Sequence, residues 1–312
     1  MLAKRLVDYS VYLFVRSLIC GIQAMPVANC HGLSRRLAWL MWHTLKIRRK
    51  VVRENLCIAF PEKSLSQRDA IALAMWEHLL LMMMEIAHAP RKIHRTNWRT
   101  YLSIDAMEVM IQRLIDDRPL VIISGHLGNF ELGGYLLAMH GFATHTVARP
   151  LDNPYLDRFV NEFRSSKGQY ILPKQGSGGQ IISILERGGT LVLLGDQYAG
   201  DSGCWVDFFG RPASTHKSVA VFSLRGRTPT VVSATLRAGK PMSYHTKVAD
   251  IVDPQEEDFA LGSIPLMTEW YTRCLEELIR TAPEQYWWVH RRWKGQPTDR
   301  RNRRRRQRAQ AA

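Results

Sequence analysis

The chain is poor in cysteine: Cys20, Cys30, Cys57, Cys204 and Cys274 are scattered, odd in number and never spaced as C-x-x-C. Such a set points to neither a disulfide framework nor a cysteine zinc site, and it fits a reducing compartment. Also missing is the G-K-[ST] ending that would make the glycine-rich "QGSGG" (175–179) a phosphate loop, so this stretch reads as the lead-in to a helix. There is no G-x-S-x-G elbow of the kind that carries a hydrolase serine, and no internal repeat. Long apolar runs are confined to "YSVYLFVRSLICGIQAMPV" (9–27), which follows Lys4 and Arg5 and is interrupted by Arg16. A spanning helix needs about 20 apolar residues and a signal peptide an unbroken apolar centre, so the expectation is a helix embedded in or lying on a membrane. An ordinary core helix is the alternative.

Acidic residues are scarce too: 28 stand against 43 Lys and Arg, for a net charge of +15. The tail from Asp299 to Ala312 holds seven of those arginines and one aspartate, or +6, which leaves +9 on the rest. The body is therefore basic by itself and suited to anionic partners: a phospholipid surface, phosphorylated lipids, an acidic carrier protein or nucleic acid. The tail itself reads as a solvated, disordered extension or as a tether to anionic lipid, at ~1 kcal/mol per basic residue near the surface.

What is present is enough apolar residue, 46% of 312, to build a full-sized core. Residues 1 to about 100 read as helical. In "RDAIALAMWEHLLLMMMEIAH" Ile71, Met75, Leu79, Met82 and Ile86 recur at helical spacing, and the methionines read as packing. Glu85 and His88 form an E-x-x-H without a second copy, so a di-iron bundle is discounted and no metal site is expected. From about 119 strands and helices alternate: "PLVIIS", "FELGGYLLAMH", "ATHTVA", "PYLDRFVNEFRSSKG", "QYIL", "GGQIISILERGG" and "TLVLLGD". A shorter strand "CWVDFFG", a helix from near Thr215, a strand "TPTVVSATL" and a last helix over 263–281 complete the pattern. The expected fold is α/β, a mixed, mostly parallel sheet flanked by helices, preceded by a membrane-associated helical segment. The expected organisation is one domain over 1–298, with a helical part (1–100), an α/β core (119–295) and the basic tail (299–312).

Ligands of such sheets gather at the strand ends, where His126, Arg149 and Asp196 fall. In "SGHLGNFELGGYLLA" (124–138) His126 and Glu131 lie five apart, roughly 140° around a regular helix, so they can meet only if His126 precedes the helix. Gly125 and Gly128 loosen the turn and Asn129 suits an N-cap, which leaves His126 on the loop and Glu131 in the first helical turn, where the macrodipole favours a carboxylate. A carboxylate there can orient an imidazole, and the imidazole can take a proton from a hydroxyl. Chance spacing of the two is the alternative. Arg149, ahead of Pro150, suits a phosphate or an oxyanion, or else a surface ion pair. Arg164 is a second anion contact or, beside Asp157 and Glu162, a solvated pair. Asp196 and Gln197 leave a strand together, to position a substrate or cap a loop. Phe208, Phe209 and Gly210 supply an apolar wall. "PEQYWWVHRRWK" (283–294) mixes Trp287, Trp288 and Trp293 with Arg291, Arg292 and Lys294, which suits a membrane interface, nucleic acid or plain packing.

In order along the chain, the apolar N-terminal helix ending near Pro26, "RRKVVRENLCIAFPE", "SGHLGNFE", "ARPLDNPYLDRFVNEFRSSKG", "GDQYAGDSGCWVDFFGRPAST" and "PEQYWWVHRRWK" resemble the bacterial lipid A biosynthesis acyltransferases, the lauroyl and myristoyl transferases. That family is similar in turn to the phosphatidylinositol mannoside acyltransferases and, more widely, to glycerolipid acyltransferases. The resemblance implies transfer of a fatty acyl chain from a thioester of acyl carrier protein or coenzyme A to a hydroxyl of a membrane glycolipid or phospholipid. It implies His126 as general base with Glu131 as its acidic partner, and Arg149, Arg164, Asp196, Gln197 and Asn129 as substrate-binding residues. It further implies no cofactor, no nucleic acid partner, and a place on the cytoplasmic face of the inner membrane. The Arg-rich tail departs from the family's pattern. Rival readings are a non-catalytic basic membrane-binding protein and a lipase-like hydrolase.

Overall fold

A computed structural model describes residues 2–297; the basic tail lies outside the described residues. The helical first part comprises α1 (Leu2–Ala24), α2 (Val27–Trp39), a π turn (Leu40–Thr44), α3 (Arg49–Ala59) and α4 (Leu65–Lys92). The start of α4 is fixed by a reciprocal capping box between Ser64 and Gln67. Helix α1 buries none of its residues; Leu6, Phe14 and Leu18 stay exposed. One side touches the protein: Gln23 donates to the Ala87 carbonyl of α4 at 2.7 Å, Ile22 packs against Leu81 and Met84, the Tyr9 ring meets Tyr155, and the Arg16 guanidinium lies 4.7 Å from the Phe159 ring centre. Arg16 thus interrupts the apolar run because it stacks on the protein. Helix α1 is long and apolar enough to cross a membrane. So is α4, but nearly half of its apolar window is buried in the fold, as expected of a core helix.

The second part alternates as its sequence does. The strands are β1 (Leu102–Ile104), β2 (Leu120–Ser124), β3 (Thr144–Ala148), β4 (Gln169–Pro173), β5 (Thr190–Leu194), β6 (Cys204–Phe208), β7 (Arg211–Thr215), β8 (Thr230–Arg237) and β9 (Tyr244–Val252). Between them run α5 (Met107–Ile115), α6 (Phe130–Met139), α7 (Pro154–Ser165), α8 (Gly178–Glu186) and α9 (Ser218–Gly226), and α10 (Ile264–Thr281) follows. Seven strands form one sheet in the order β1-β9-β8-β2-β5-β3-β4, parallel throughout except where β8 and β9 run antiparallel. This is the expected mixed, mostly parallel sheet. Strands β6 and β7 make a separate hairpin, and the alternation in the sequence does not reveal β1, β7, β9 or α5. Strand β1 has only three residues, and β9 is half-exposed along most of its length, so neither carries the apolar run that marks a buried strand.

Alternate residues of β2 face opposite layers. Val121 and Ile123 join a core with α8, α9, α10 and side chains of α2, α3 and α4, whereas Leu120 and Ile122 pack against Met110 of α5 and Leu137 of α6. The tryptophan-rich stretch belongs to the first of these cores: Trp288 is fully buried, Arg292 is 2% exposed, and Trp293 stacks on Phe208. Asn55 of α3 donates to the carbonyls of Trp288 (2.7 Å) and His290 (2.6 Å), tying the stretch down as a strap. The packing reading of this stretch holds and the membrane-interface reading does not. Phe208 and Phe209 are likewise core residues.

The turn from β2 into α6 is pressed against this strap and against β8. Gly128 has a φ of +62°, and a Cβ there would overlap the backbone carbonyl oxygen of Thr235, which cannot move without breaking the sheet. Gly128→Ala is therefore expected to destabilise the fold by about 1–3 kcal/mol, seen as a lowered thermal midpoint. An unchanged midpoint would show that the turn is looser than drawn.

Candidate active site

His126 leaves β2 and Asp196 leaves the neighbouring β5. Ser124 is paired with Leu194 in the parallel register, so two residues further on the imidazole and the carboxylate stand side by side. Gly125 makes room, since a Cβ there would come within 3.3 Å of Asp196 Cγ. Asp196 accepts from the His126 backbone N–H (2.9 Å) and meets Nδ1 at 2.8 Å. The carboxylate is acceptor-only when ionised, so Nδ1 carries a proton and donates, and in the neutral ring Nε2 is left with a lone pair. That nitrogen faces the side-chain amide of Gln197, 3.2 Å away, which donates to it. The rings of Phe130 and Trp287 stand edge-on to the imidazole, each 5.0 Å from it, and leave its side chain 14% exposed.

Burial disfavours a charged imidazole, but the Asp196 charge and hydrogen bond, helped by Glu131, outweigh it and raise His126 above its ordinary 6.5. Burial would likewise raise the Asp196 carboxyl. The charge and two hydrogen bonds of His126 hold it down instead, at about 2. The pair is thus a carboxylate under a basic imidazole, with the reactive nitrogen turned away from the acid.

Glu131 stands in the first turn of α6, with Asn129 as N-cap accepting from the Leu132 N–H (3.2 Å). His126 precedes the helix, as the spacing requires. The carboxylate of Glu131 does not hold the imidazole, however: it is gripped by both arms of Arg164 from α7, with Nε at 3.0 Å. The expectation that Glu131 orients His126 is corrected accordingly. Asp196 does so, because strand register brings it closer than any residue of α6 can come, and Glu131 acts on the ring only through space. Arg164 is an internal clamp on α6 here. Asn129 is fully buried under the turn, as a cap.

Arg149 lies elsewhere. It follows β3, two strands from β2 and hence roughly 10 Å along the rim. Its side chain is 76% exposed and paired with Asp152, as in the surface reading. Three of the turn's amides are engaged: those of His126, Gly128 and Asn129 donate to Asp196, the Gln285 carbonyl and the Thr235 carbonyl. Sequence reasoning missed Phe130 and Trp287 as walls of the site. The Trp287 N–H donates to the His126 carbonyl at 2.9 Å across more than a hundred residues, a contact no local pattern announces. Among the described residues no cluster of His, Cys, Asp and Glu could hold a metal ion. Glu85 and His88 are used separately, on Arg237 and beside Cys30.

Under α6 runs an apolar cavity of about 140 Å³. Its walls begin at Ser124, Leu194 and Phe130, beside the His126–Asp196 pair, and continue past Leu137 to His140 and Phe142.

The strand ends thus bring together a histidine, a carboxylate and an apolar cavity. The chain belongs to the bacterial lipid A biosynthesis acyltransferase family, whose model matches residues 3–295, and it is an acyltransferase. It is 26% identical over 280 residues to the lipid A biosynthesis lauroyltransferase of Escherichia coli (strain K12), covering 88% of each chain. To the lipid A biosynthesis palmitoleoyltransferase of the same strain it is 22% identical over 263 residues, covering 81% of each. Among solved structures, the 1-acyl-sn-glycerophosphate acyltransferase PlsC of Thermotoga maritima aligns with a TM-score of 0.38 at 12% identity, over 80% of this chain and 97% of that one.

Since the neutral imidazole is the basic form and its pKa is raised, kcat/KM should climb with pH through a midpoint above 6.5. Asp196→Asn should move that midpoint down and lower the rate on the order of 10²-fold or more, because the amide can turn the ring to the wrong tautomer. A pH–rate profile indifferent to residue 196 would count against the pair.

Proposed function

We propose that the protein transfers a fatty acyl chain from a thioester, on acyl carrier protein or coenzyme A, to a hydroxyl of a lipid A precursor or a closely related glycolipid at the cytoplasmic face of the inner membrane. The observation that carries the reading is the His126–Asp196 pair beside the apolar cavity, with Nδ1 on the carboxylate and Nε2 turned away from it. An alcohol is a poor nucleophile near neutral pH and needs a base in the transition state. The acceptor oxygen attacks the thioester carbonyl as its proton passes to His126 Nε2. Collapse of the tetrahedral intermediate breaks the C–S bond, and the imidazolium returns the proton to the departing thiolate. Asp196 stabilises the charged ring in between, and Glu131, fixed by Arg164, adds a second negative charge nearby. With the amides of His126, Gly128 and Asn129 engaged, the positive end of the α6 dipole is what the fold offers a developing oxyanion.

The apolar lining of the cavity beneath α6 suits an acyl chain. Ten residues separate Phe130 from His140, roughly 15 Å of helix, so the cavity follows the chain away from the reacting carbonyl. The exposed apolar side of α1 suits the bilayer that holds the acceptor. Lipid A biosynthesis in the relatives' names, together with family membership, supports a glycolipid acceptor over a phospholipid. The basic body of the chain suits the acidity of a carrier protein, and rising salt should then slow donor capture before it affects lipid binding.

His126→Ala should lower acyl transfer by about 10²–10⁴-fold with the fold retained, measured as acylated glycolipid formed from acyl carrier protein thioester and a lipid A precursor in detergent micelles. Activity near wild type would remove the base. Free fatty acid as the sole product, with acceptor present, would replace transfer by hydrolysis. Filling the cavity midway with Leu137→Trp should shift preference to shorter donors, and an unaltered chain-length profile would place the acyl chain elsewhere.

A further inference from the structure

We infer that His78 is a positioning residue for this reaction: from α4, its Nε2–H holds the carbonyl of Gly128 and thereby fixes the turn that aims His126. The inference rests on the reading of His126 as the base. His78 Nε2 lies 3.1 Å from the Gly128 oxygen, and a carbonyl can only accept, so Nε2 carries the ring proton. Nδ1 then has a lone pair, and Arg237 Nη1 donates to it at 2.6 Å. The same guanidinium is held by both oxygens of Glu85, at 2.9 and 2.7 Å, and Glu85 also accepts from the Met242 N–H at 2.9 Å. His78 and Glu85 are buried, at 3% and 1% exposure, and the Arg237 side chain is 9% exposed. Burial first, and then the neighbouring Arg237 charge, push His78 down to about 3, so the ring keeps this neutral form wherever His126 can work.

The turn depends on such a contact. Gly128 has no side chain with which to anchor itself, and its conformation is one that glycine leaves easily. Its N–H is held by the carbonyl of Gln285, whose side chain clamps the backbone of Arg237 in both directions, at 2.8 and 3.0 Å. Its carbonyl is held by His78. The two holds converge on Arg237, so Glu85, Arg237, His78 and Gly128 form one chain of hydrogen bonds from α4 and the end of β8 to the residue two places beyond the base. A displacement of about 1 Å at a reacting group can cost on the order of 10²-fold in rate, so the contact has leverage far beyond its own strength.

Two polar substitutions separate this role from mere filling of the core. His78→Asn keeps an acceptor for Arg237 but is too short to reach Gly128, whereas His78→Gln places an amide donor where Nε2 was. His78→Asn is expected to lower kcat about 10–100-fold with the donor KM within about two-fold of wild type, and His78→Gln to recover most of it. Hydrogen–deuterium exchange supplies a readout independent of activity: amides of residues 126–129 should exchange about ten-fold faster or more in His78→Asn and near the wild-type rate in His78→Gln, with β2 and β5 unchanged. Equal loss of kcat in both variants, retention of kcat in His78→Asn, or unaltered exchange of the turn would overturn the inference. A wild-type protein without transferase activity would instead overturn the proposed function, and the exchange experiment would still decide whether His78 holds the turn.

Discussion

The pairing of two adjacent parallel strands in register is the constraint on which the rest of this structure depends. Strands β2 and β5 end at the same height, each with a glycine before its functional residue, and the polar side chains that follow meet above the sheet edge. Parallel strands have their carboxyl ends on one side, so groups far apart in sequence are delivered to one rim without a loop having to reach for them. His126 and Asp196 are brought together across seventy residues in this way. Their mutual effect follows from the same closeness: each shifts the other toward its charged form against the burial that opposes it.

Everything around the pair restricts movement. The strap after α10 passes its Trp287 N–H to the His126 carbonyl, and α3 holds the strap through Asn55. Helix α4 reaches the same turn through a buried histidine. The N-terminal helices, which read as a membrane attachment, therefore also share a core with the α10 strap and press on the catalytic turn from behind. Helix α1 is the exception, since it offers its apolar side outward and touches the body along one side, through Tyr9, Arg16, Ile22 and Gln23. An outward-facing apolar helix, an apolar cavity and a held histidine between them are what the proposed acyl transfer at a membrane would use.

Much of this was legible in the sequence, and the legible part is the part decided locally. The alternation of apolar runs with helical stretches announces the α/β sheet, because a buried strand needs a run of apolar residues and a crossover needs a helix. The residues of "SGHLGN" announce a strand, a turn and a capped helix, with the histidine between. Strand β9 and the hairpin partner β7 were not legible, since their burial comes from neighbours rather than from their own composition. The tryptophans and arginines of 283–294 look amphipathic in a line, yet Arg292 turns inward to the carbonyl of Ser214 and the hydroxyl of Thr215, and Trp288 is sealed off.

The sequence by itself determined that a histidine would stand at a strand end with a glutamate one helical turn further on, because turn chemistry, capping and apolar periodicity act between near neighbours. Which carboxylate serves which partner was decided only in three dimensions. Register gives His126 to Asp196, and the approach of α7 gives Glu131 to Arg164, while Arg149 is left on the rim. A hydrogen bond is a matter of about 3 Å, and distances that short between residues tens of positions apart are set by how strands pair and helices pack, which no spacing along the chain encodes.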